Sequence, residues 1–361
     1  MFNAYLIYTL SLIFLLVSSW IYSKNSKKHS IILILSILII CVVLGIRYDV
    51  GVDFLAYDYI YKYQFFDDVE SGYALVNKFL FSLGLPSSSI FTLVAFFQLF
   101  LFAKGIEKIN PHYLPLAFFF YFTTLYFFLS LNVLRQTLAF SIFVYSIKYI
   151  VNKQFIKYIV VILLASTIHK SALILIPLYF VLNIDWLLEH RIFQLAGYFI
   201  TYTMSIFLSE YIWSNFAILA LAGGYADYAD NVNSLSQVEW GKEGGLGVYL
   251  WMLIDVWVML CFSKSPKASI AKYEISLYNI YYVGLLLSNI VAGTYLDRAN
   301  LYFLNFRILV YAIFFYRIFQ RKGNVMHKII AIAVILVLIL FFYMGIYNKA
   351  SQCAPFKFVS F

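Results

Sequence analysis

Charged side chains are scarce in this sequence. They make up 12% of its 361 residues, about half of what a soluble domain needs to cover its surface. Hydrophobic residues make up 63%, and the mean hydropathy is +0.85. The shortage of charge excludes an ordinary soluble domain and indicates an integral membrane protein, for which lipid replaces water as the main solvent.

Cysteine is nearly as scarce. The three cysteines, Cys41, Cys261 and Cys353, are too few and too scattered for a disulfide framework or a metal cluster. The sequence also lacks a Walker loop, a zinc-ligand spacing and a nucleophile elbow. We therefore expect no metal and no cofactor, and the missing nucleotide site argues against a primary pump.

Basic residues outnumber acidic ones, and the formal net charge is +9. The Lys and Arg lie in short runs between apolar segments, so the chain has no soluble basic domain to bind nucleic acid. Most of them fall in one set of loops that carries few acids. By the positive-inside rule this set is cytoplasmic, which predicts that both termini face the periplasm.

About twelve apolar runs are long enough to cross the hydrocarbon core of a bilayer. They cover residues 2–22, 31–46, 89–103, 114–130, 133–151, 155–168, 173–183, 192–209, 246–262, 275–292, 301–319 and 329–347. The first run lacks the basic start and cleavage site of a signal peptide, so we expect a retained helix. The sequence predicts an all-α, polytopic integral membrane protein with a single transmembrane domain over residues 1–361.

Two larger loops are predicted on the periplasmic side. The loop at 47–88 holds several acids, and apolar residues at helical spacing within 73–83 predict an interfacial helix on the outer leaflet. The loop at 210–245 is rich in glycine and acidic residues, which predicts a mobile outer segment.

Two short runs, 155–168 and 173–183, flank His169. This arrangement fits a tight outer turn between two tilted helices, or a helix break that lines a cavity within the membrane. Histidine exchanges a proton near neutral pH, so His169 could be a catalytic base. It could equally be an interfacial side chain bonded to a carbonyl.

Four arginines fall at a similar depth in the outer half of the predicted helices. They are Arg47, Arg135, Arg298 and Arg307. Guanidinium groups offer forked donors to phosphate oxygens, so such a set could surround a multiply anionic group. Arg47 and Arg298 could instead pair with the neighbouring Asp49 and Asp297, or extend to lipid headgroups.

The other two arginines have no such neighbour. Arg135 has no acid in its own helix turns, and Arg307 lies inside an apolar run. An unpaired cation there costs roughly 2.5 kcal/mol or more, so we expect both to face a cavity or a partner. Asp255, in the ninth run, is expected to be a structural partner for a tyrosine or an arginine.

Several short motifs follow one another along the chain. Residues 45–57 are GIRYDVGVDFLAY, 70–73 are ESGY, 134–139 are LRQTLA and 168–172 are IHKSA. In this order they resemble the G-x-R-Y-x-x-G-x-D-Y-x-x-Y, E-x-G-Y, R-Q and I-H-x-S-A motifs of EpsG-like proteins, the Wzy-type polysaccharide polymerases. Phe54 replaces the usual Tyr, and Arg307 is similar to the last arginine of the family.

This resemblance implies a function in the bacterial inner membrane. Such a polymerase transfers a growing glycan from undecaprenyl diphosphate to the nonreducing sugar of a lipid-linked repeat unit, at the periplasmic face. The product would be O antigen, capsule or exopolysaccharide. Undecaprenyl diphosphate carries the substrate and is not a cofactor. The expected partners are the lipid-linked oligosaccharide and membrane lipid. A chain-length regulator and a flippase are further candidate partners.

The resemblance also suggests roles for individual residues. His169 is the leading candidate for the base that activates the accepting hydroxyl, and Asp53 is the second. Arg47, Arg135 and Arg307 are candidates for binding the diphosphate, with Arg298 as the fourth. Weaker candidates for glycan contacts are Tyr48, Asp49, Tyr57 and Gln136.

Three other classes compete with a polymerase. A flippase for lipid-linked oligosaccharides should have two-fold internal similarity, and no such repeat is detected. An O-acetyltransferase should place its key histidine deeper or on the cytoplasmic side, whereas an O-antigen ligase would use similar chemistry. A nonenzymatic partner in an envelope complex would have no need for buried cations.

Overall fold

A computed structural model describes residues 1–67, 69–182, 190–222, 245–262, 272–291, 297–320 and 325–359. Within these ranges the regular secondary structure is helical, apart from one isolated antiparallel bridge between Arg47 and Phe358. The all-α prediction is confirmed for this part of the chain. The contacts divide the chain into two compact units, Met1–Val181 with Tyr311–Phe361, and Leu182–Val310. The single transmembrane domain stays a prediction.

The α-helices are numbered here in chain order. They are α1 (Phe2–Lys24), α2 (Ser30–Gly45), α3 (Phe54–Tyr63), α4 (Ser71–Ser82), α5 (Ser88–Glu107), α6 (Leu114–Thr123), α7 (Tyr126–Ser130), α8 (Leu134–Val151), α9 (Phe155–Ile168), α10 (Leu178–Val181), α11 (Arg191–Ala222), α12 (Leu246–Phe262), α13 (Lys272–Val291), α14 (Asp297–Leu304), α15 (Arg307–Gln320) and α16 (Val325–Tyr347). Short 3₁₀ segments lie at Pro111–Tyr113, Lys170–Leu175 and Ala350–Gln352.

Among the residues that the structure describes, four stretches are long and apolar enough to cross a membrane: Phe2–Lys24, Ser88–Glu107, Arg298–Gln320 and Val325–Tyr347. Several shorter apolar helices accompany them within the described residues. The chain is therefore a membrane-embedded helical protein. The number of about twelve spans and the periplasmic termini stay predictions.

Three of the predicted runs are interrupted within the described residues, and one of them, 301–319, is divided into α14 and α15. The run at 114–130 becomes α6 and α7, because Leu125 between them adopts a left-handed conformation with φ of 66°. The run at 173–183 begins as a 3₁₀ segment and continues only as the short α10. His169, in an extended conformation, ends α9 directly before this segment. Within the described residues α9 thus ends at His169 and short helical segments follow it. A position of this break within the membrane stays a prediction, as does the alternative of an outer turn between two tilted helices.

The predicted outer loops differ from expectation in opposite ways. The loop at 47–88 contains the expected α4, with Leu75 and Phe79 exposed by 69% and 60%, and also α3, which the sequence analysis did not predict. Farther along, α11 continues to Ala222, so the second loop begins later than residue 210. Its residues 223–244 lie outside the described part of the chain.

Aromatic side chains attach α3 to the helices around it. Phe54 stacks on Phe91 of α5 with ring centroids 4.6 Å apart, and Tyr57 meets Tyr73 of α4 edge to face at 5.9 Å. These rings belong to one buried cluster that also includes Leu134 at the start of α8. The cluster brings the beginnings of α4 and α8 together beneath α3.

Arg47 connects three backbone segments. Its guanidinium donates to the carbonyls of Leu44 at 2.8 Å, Val50 at 3.2 Å and Leu131 at 2.9 Å, and it lies over the Phe91 ring. The residue is only 1% exposed. Each of these hydrogen bonds pairs a carbonyl that would otherwise have no donor in an apolar surrounding. The Arg47 side chain therefore stabilises the segment between α2 and α3.

The C-terminal tail closes over the same segment. Backbone N–H groups of Tyr48 and Gly51 donate to the carbonyls of Lys357 and Gln352, both at 3.0 Å. Gly51 has a φ of 104°, and a Cβ there would lie 2.8 Å from Oδ1 of Asn132. Only glycine suits this position, which accounts for the glycine in the first motif.

Replacing Arg47 should therefore reduce stability. In Arg47→Met the three carbonyls keep a similar volume beside them but lose their donors, and each loss amounts to about 1–3 kcal/mol. We expect a lower Tm for the purified full chain in detergent, measured by fluorescence-detected unfolding. The exposed Arg191 gives the matched control, Arg191→Met. Equal Tm values for Arg47→Met and wild type would contradict this structural role.

Candidate functional site

In the first unit, the carboxylate of Glu70 accepts hydrogen bonds from two side chains and one backbone N–H. Glu70 directly precedes α4. Its Oε2 accepts a hydrogen bond from Nη1 of Arg135 at the start of α8. Its Oε1 accepts from Nδ1 of His169 and from the backbone N–H of Lys170, each at 3.0 Å. The break after α9 is thus anchored to the beginning of α4.

Close backbone packing holds this arrangement in place. A Cβ on Gly72 would lie 2.4 Å from Oγ1 and 2.9 Å from the carbonyl oxygen of Thr167. Glycine therefore lets α4 approach the end of α9 near His169. The ESGY motif can now be explained: Glu70 binds the two cationic elements, Gly72 allows the approach, and Tyr73 packs beside them.

Two tyrosines form an aromatic wall beside Arg135. The guanidinium carbon lies 6.0 Å from the ring centroid of Tyr57 and 5.9 Å from that of Tyr73. Both distances allow a cation–π attraction. The Arg135 side chain is 22% exposed and that of His169 is 26% exposed. The two groups are therefore held in place and can still reach a ligand.

The electrostatics of the cluster favour the ionised form of Glu70. Burial alone would raise the pKa of this carboxyl. Hydrogen bonds from His169 and from the Lys170 backbone, together with the charge of Arg135, outweigh burial and lower the pKa to about 2. The site therefore combines a fixed carboxylate with a cation and an imidazole.

This geometry leaves one ring nitrogen of the His169 imidazole, Nε2, for chemistry. Because the ionised Glu70 can only accept, Nδ1 of His169 carries the hydrogen, and Nε2 of a neutral ring is left as the proton acceptor. A carboxylate that orients an imidazole in this way is a recurring arrangement for a general base. Arg135 can supply positive charge to an anion beside it.

Asp53 lies near this cluster. Its backbone N–H donates to Oδ1 of Asn132 at 3.4 Å, and its side chain is half-buried. Burial raises the pKa of Tyr57, the charge of Arg135 lowers it, and the charge of Asp53 raises it further. The Asp53 carbonyl accepts from the Tyr57 N–H at 3.1 Å, so Asp53 lies one helical turn from a tyrosine that contacts Arg135. The role of Asp53 in a site stays a prediction.

The other candidates of the first unit are engaged elsewhere. Arg47 binds backbone carbonyls, as described above, and does not pair with Asp49. Asp49 instead accepts from Lys357 of the C-terminal tail at 3.0 Å. Tyr48 is exposed and packs edge to face on Phe54, whereas Gln136 is buried within α8.

A second ion pair lies in the second unit. Arg307 donates from Nε and Nη2 to both oxygens of Asp255, at 3.1 Å and 2.6 Å. Tyr281 donates to Oδ1 of the same carboxylate at 2.6 Å, and the guanidinium lies 4.8 Å from the Trp251 ring centroid. The prediction of a tyrosine or arginine partner for Asp255 is confirmed with both.

Arg298, on α14, is exposed. The side chain of its predicted partner Asp297 lies outside the described residues. Because Arg298 and Arg307 belong to the second unit, their convergence with Arg135 stays a prediction.

Sequence reasoning missed Glu70 as a member of the site. The residue lies 65 positions before Arg135, and no periodic pattern relates the two. The signal that could have found it was its place in the ESGY motif, next to the only glycine that α4 contains.

A comparison with known families gives an independent result. The model of the EpsG family matches residues 30–358. The chain belongs to the EpsG family. EpsG is a Wzy-like polymerase family, so the resemblance found in the short motifs is confirmed. The EpsG match covers the Glu70 cluster, the Asp255–Arg307 pair and most of the C-terminal tail. No curated protein and no solved structure matches the chain.

The depressed pKa of Glu70 predicts a pH dependence of stability. The ordinary value is 4.5 and the folded-state value is about 2. The ionised carboxylate therefore stabilises the fold above about pH 4.5, and this contribution is lost as the pH falls toward 2. We expect the Tm difference between wild type and Glu70→Gln to be constant from neutral pH to about pH 5 and to shrink below it. A difference that stays constant down to about pH 3 would contradict the ion-pair geometry.

The Asp255–Arg307 pair predicts non-additive effects on stability. Asp255→Asn and Arg307→Gln should each lower the Tm, because each leaves one buried charge without its partner. The double variant should lose little more than the worse single variant. Thermal unfolding of the three variants measures this, and strictly additive losses would contradict the coupling.

Proposed function

We propose that this EpsG-family protein is a polysaccharide polymerase that uses a lipid-diphosphate donor. It would transfer a growing glycan from undecaprenyl diphosphate to the nonreducing end of a lipid-linked repeat unit. The observation that carries the proposal is the Glu70 cluster, which sets a guanidinium and an imidazole beside each other at the end of a broken helix.

The chemistry requires two groups of opposite function. A hydroxyl of the acceptor sugar forms a new bond to C1 of the donor sugar, while the bond from C1 to the phosphate oxygen breaks. The electron pair leaves with the diphosphate, and the hydroxyl proton goes to a base. His169 Nε2 would accept the proton, and Arg135 would stabilise the charge that develops on the leaving diphosphate.

Further arginines would complete the diphosphate site. Arg307 and Arg298 remain the candidates, and the bidentate pair with Asp255 would fix the orientation of Arg307. The role predicted for Arg47 stays a prediction and is not part of this proposal, because three carbonyls already occupy its guanidinium. Asp53, near Tyr57, is the alternative base.

The proposed location follows from the charge of the loops and from the family. We place the protein in the bacterial inner membrane with the Glu70 cluster toward the periplasm, where lipid-linked units are assembled. A chain-length regulator and a flippase remain proposed partners.

Polysaccharide length in cells tests this function. Arg135→Ala and His169→Ala, expressed in a strain deleted for the gene, should leave single capped units and little long polymer. The rate losses expected are about 10²–10³-fold for a charge-stabilising donor and about 10²–10⁴-fold for a general base. Gel analysis of the surface polysaccharide, with a blot for protein level, measures the outcome.

Exposed residues of the same types provide the controls. Arg191→Ala and His112→Ala should give the wild-type ladder. An unchanged ladder for Arg135→Ala or His169→Ala would remove that residue from the catalytic site. Loss of even the single units on deletion of the gene would favour a flippase instead. If Asp53→Asn abolishes polymer and His169→Ala does not, Asp53 is the base.

A further inference from the structure

A cavity in the first unit is lined by residues of α3 and of the segments packed against it. Its volume is about 480 Å³, within the range of about 300–1,000 Å³ typical of small-molecule sites. The walls come from α3, the end of α4, the segment that leads into α5 and the C-terminal tail. Tyr48, a weak candidate for glycan contacts, lines this cavity, but the reaction proposed above does not use it.

Aromatic rings form one part of its wall. Tyr61 and Phe81 pack edge to face with ring centroids 5.9 Å apart. The Tyr61 hydroxyl donates to the carbonyl of Leu85 at 2.7 Å, which fixes the ring. Tyr48, which also lines the cavity, is exposed. Tyr61 is buried, whereas the exposed rings of Tyr48 and Phe81 can pack against the C–H groups of a sugar.

A fixed carboxylate lies among these rings. Asp58 is only 8% exposed. Its Oδ1 accepts from the Ser87 hydroxyl at 2.5 Å, and its Oδ2 accepts from Nζ of Lys62 at 2.7 Å. The carboxylate is oriented from two sides before any ligand arrives. It has lone pairs left over, because a carboxylate can accept about four hydrogen bonds.

The charge balance of the wall favours a neutral ligand with many hydroxyls. Asp58 and Lys62 neutralise each other, and the guanidinium of Arg47 is already bound by three carbonyls. No uncommitted cation is described in the wall for a phosphate. The mixture of carboxylate, ammonium and hydroxyl groups would be a poor surrounding for a lipid acyl chain.

We propose that this cavity binds a sugar unit of the glycan. The inference rests on the proposed function, because it supplies a holding site for the chain that the Glu70 cluster extends. Helix α3 carries residues of both places, since Tyr57 contacts Arg135 while Asp58 and Tyr61 line the cavity. A glycan held here would be kept near the reacting ends between successive additions.

Direct binding tests this proposal. The probe is lipid-free oligosaccharide prepared by partial hydrolysis of the surface polysaccharide from cells that carry the gene. Binding to the full chain in lipid nanodiscs is measured by saturation-transfer NMR and by titration calorimetry. We expect binding by the wild type, and a loss of affinity of at least about tenfold in Phe81→Ala and in Asp58→Asn, equal to about 1.4 kcal/mol.

Matched variants separate the cavity from general damage. Phe79→Ala removes an exposed ring from the same helix outside the cavity and should bind like wild type. Lys62→Gln changes an exposed residue of the cavity wall and should leave the fold intact. This variant should also bind the probe more weakly. Wild-type affinity in Phe81→Ala, Asp58→Asn and Lys62→Gln would overturn the proposal, as would displacement of the probe by added phospholipid.

The catalytic proposal can fail separately from this one. Arg135→Ala should lose polymer and keep oligosaccharide binding. If the wild type makes long polymer but does not bind the probe, the cavity proposal fails and the polymerase stands. If Arg135→Ala and His169→Ala make normal polymer while the cavity variants lose binding, the catalytic site fails and the sugar site stands.

Discussion

The ionised carboxylate of Glu70 is the interaction on which the candidate site depends. It takes hydrogen bonds from the guanidinium of Arg135 and, at the break after α9, from the imidazole of His169 and the backbone N–H of Lys170. Hydrogen bonds to an ionised carboxylate in a partly buried place are strong and directional, so one residue can position both the guanidinium and the imidazole. Without the carboxylate, Arg135 and the broken end of α9 would have no common anchor.

The surrounding scaffold relies on the same physical constraint in another form. In an apolar environment a backbone carbonyl without a hydrogen-bond donor costs free energy. Wherever the chain departs from a regular helix, another group must therefore supply that donor. Arg47 meets it at the end of α2, and the C-terminal tail pairs with the segment that follows. The arginine and the first glycine after it in the first motif therefore stabilise the segment between α2 and α3, whatever chemical role the motif also has. The polar side chains of the first unit thus include supporting groups, such as Arg47, and partly exposed groups, such as Arg135 and His169.

Sequence patterns predicted most of the helices, because lipid requires long apolar runs and these are visible in composition. The patterns did not predict the break at Leu125, which depends on a left-handed residue, or α3, whose buried face consists of aromatic rings in a polar loop. Pairings such as Glu70 with Arg135, or Arg47 with three carbonyls, could not be seen because the partners are remote or belong to the backbone. The motifs pointed to Arg135 and His169, which one carboxylate binds, and to Arg47, whose contacts do not favour the predicted role; the functional roles of all three stay predictions.

The most direct measurement is a structure of the full chain in nanodiscs with an undecaprenyl-diphosphate-linked repeat unit bound. The account predicts a diphosphate oxygen within about 3 Å of the Arg135 guanidinium. It also predicts that Glu70 still holds Nδ1 of His169, with Nε2 turned toward a sugar hydroxyl. A diphosphate bound away from Arg135, or His169 separated from Glu70 in that complex, would contradict it.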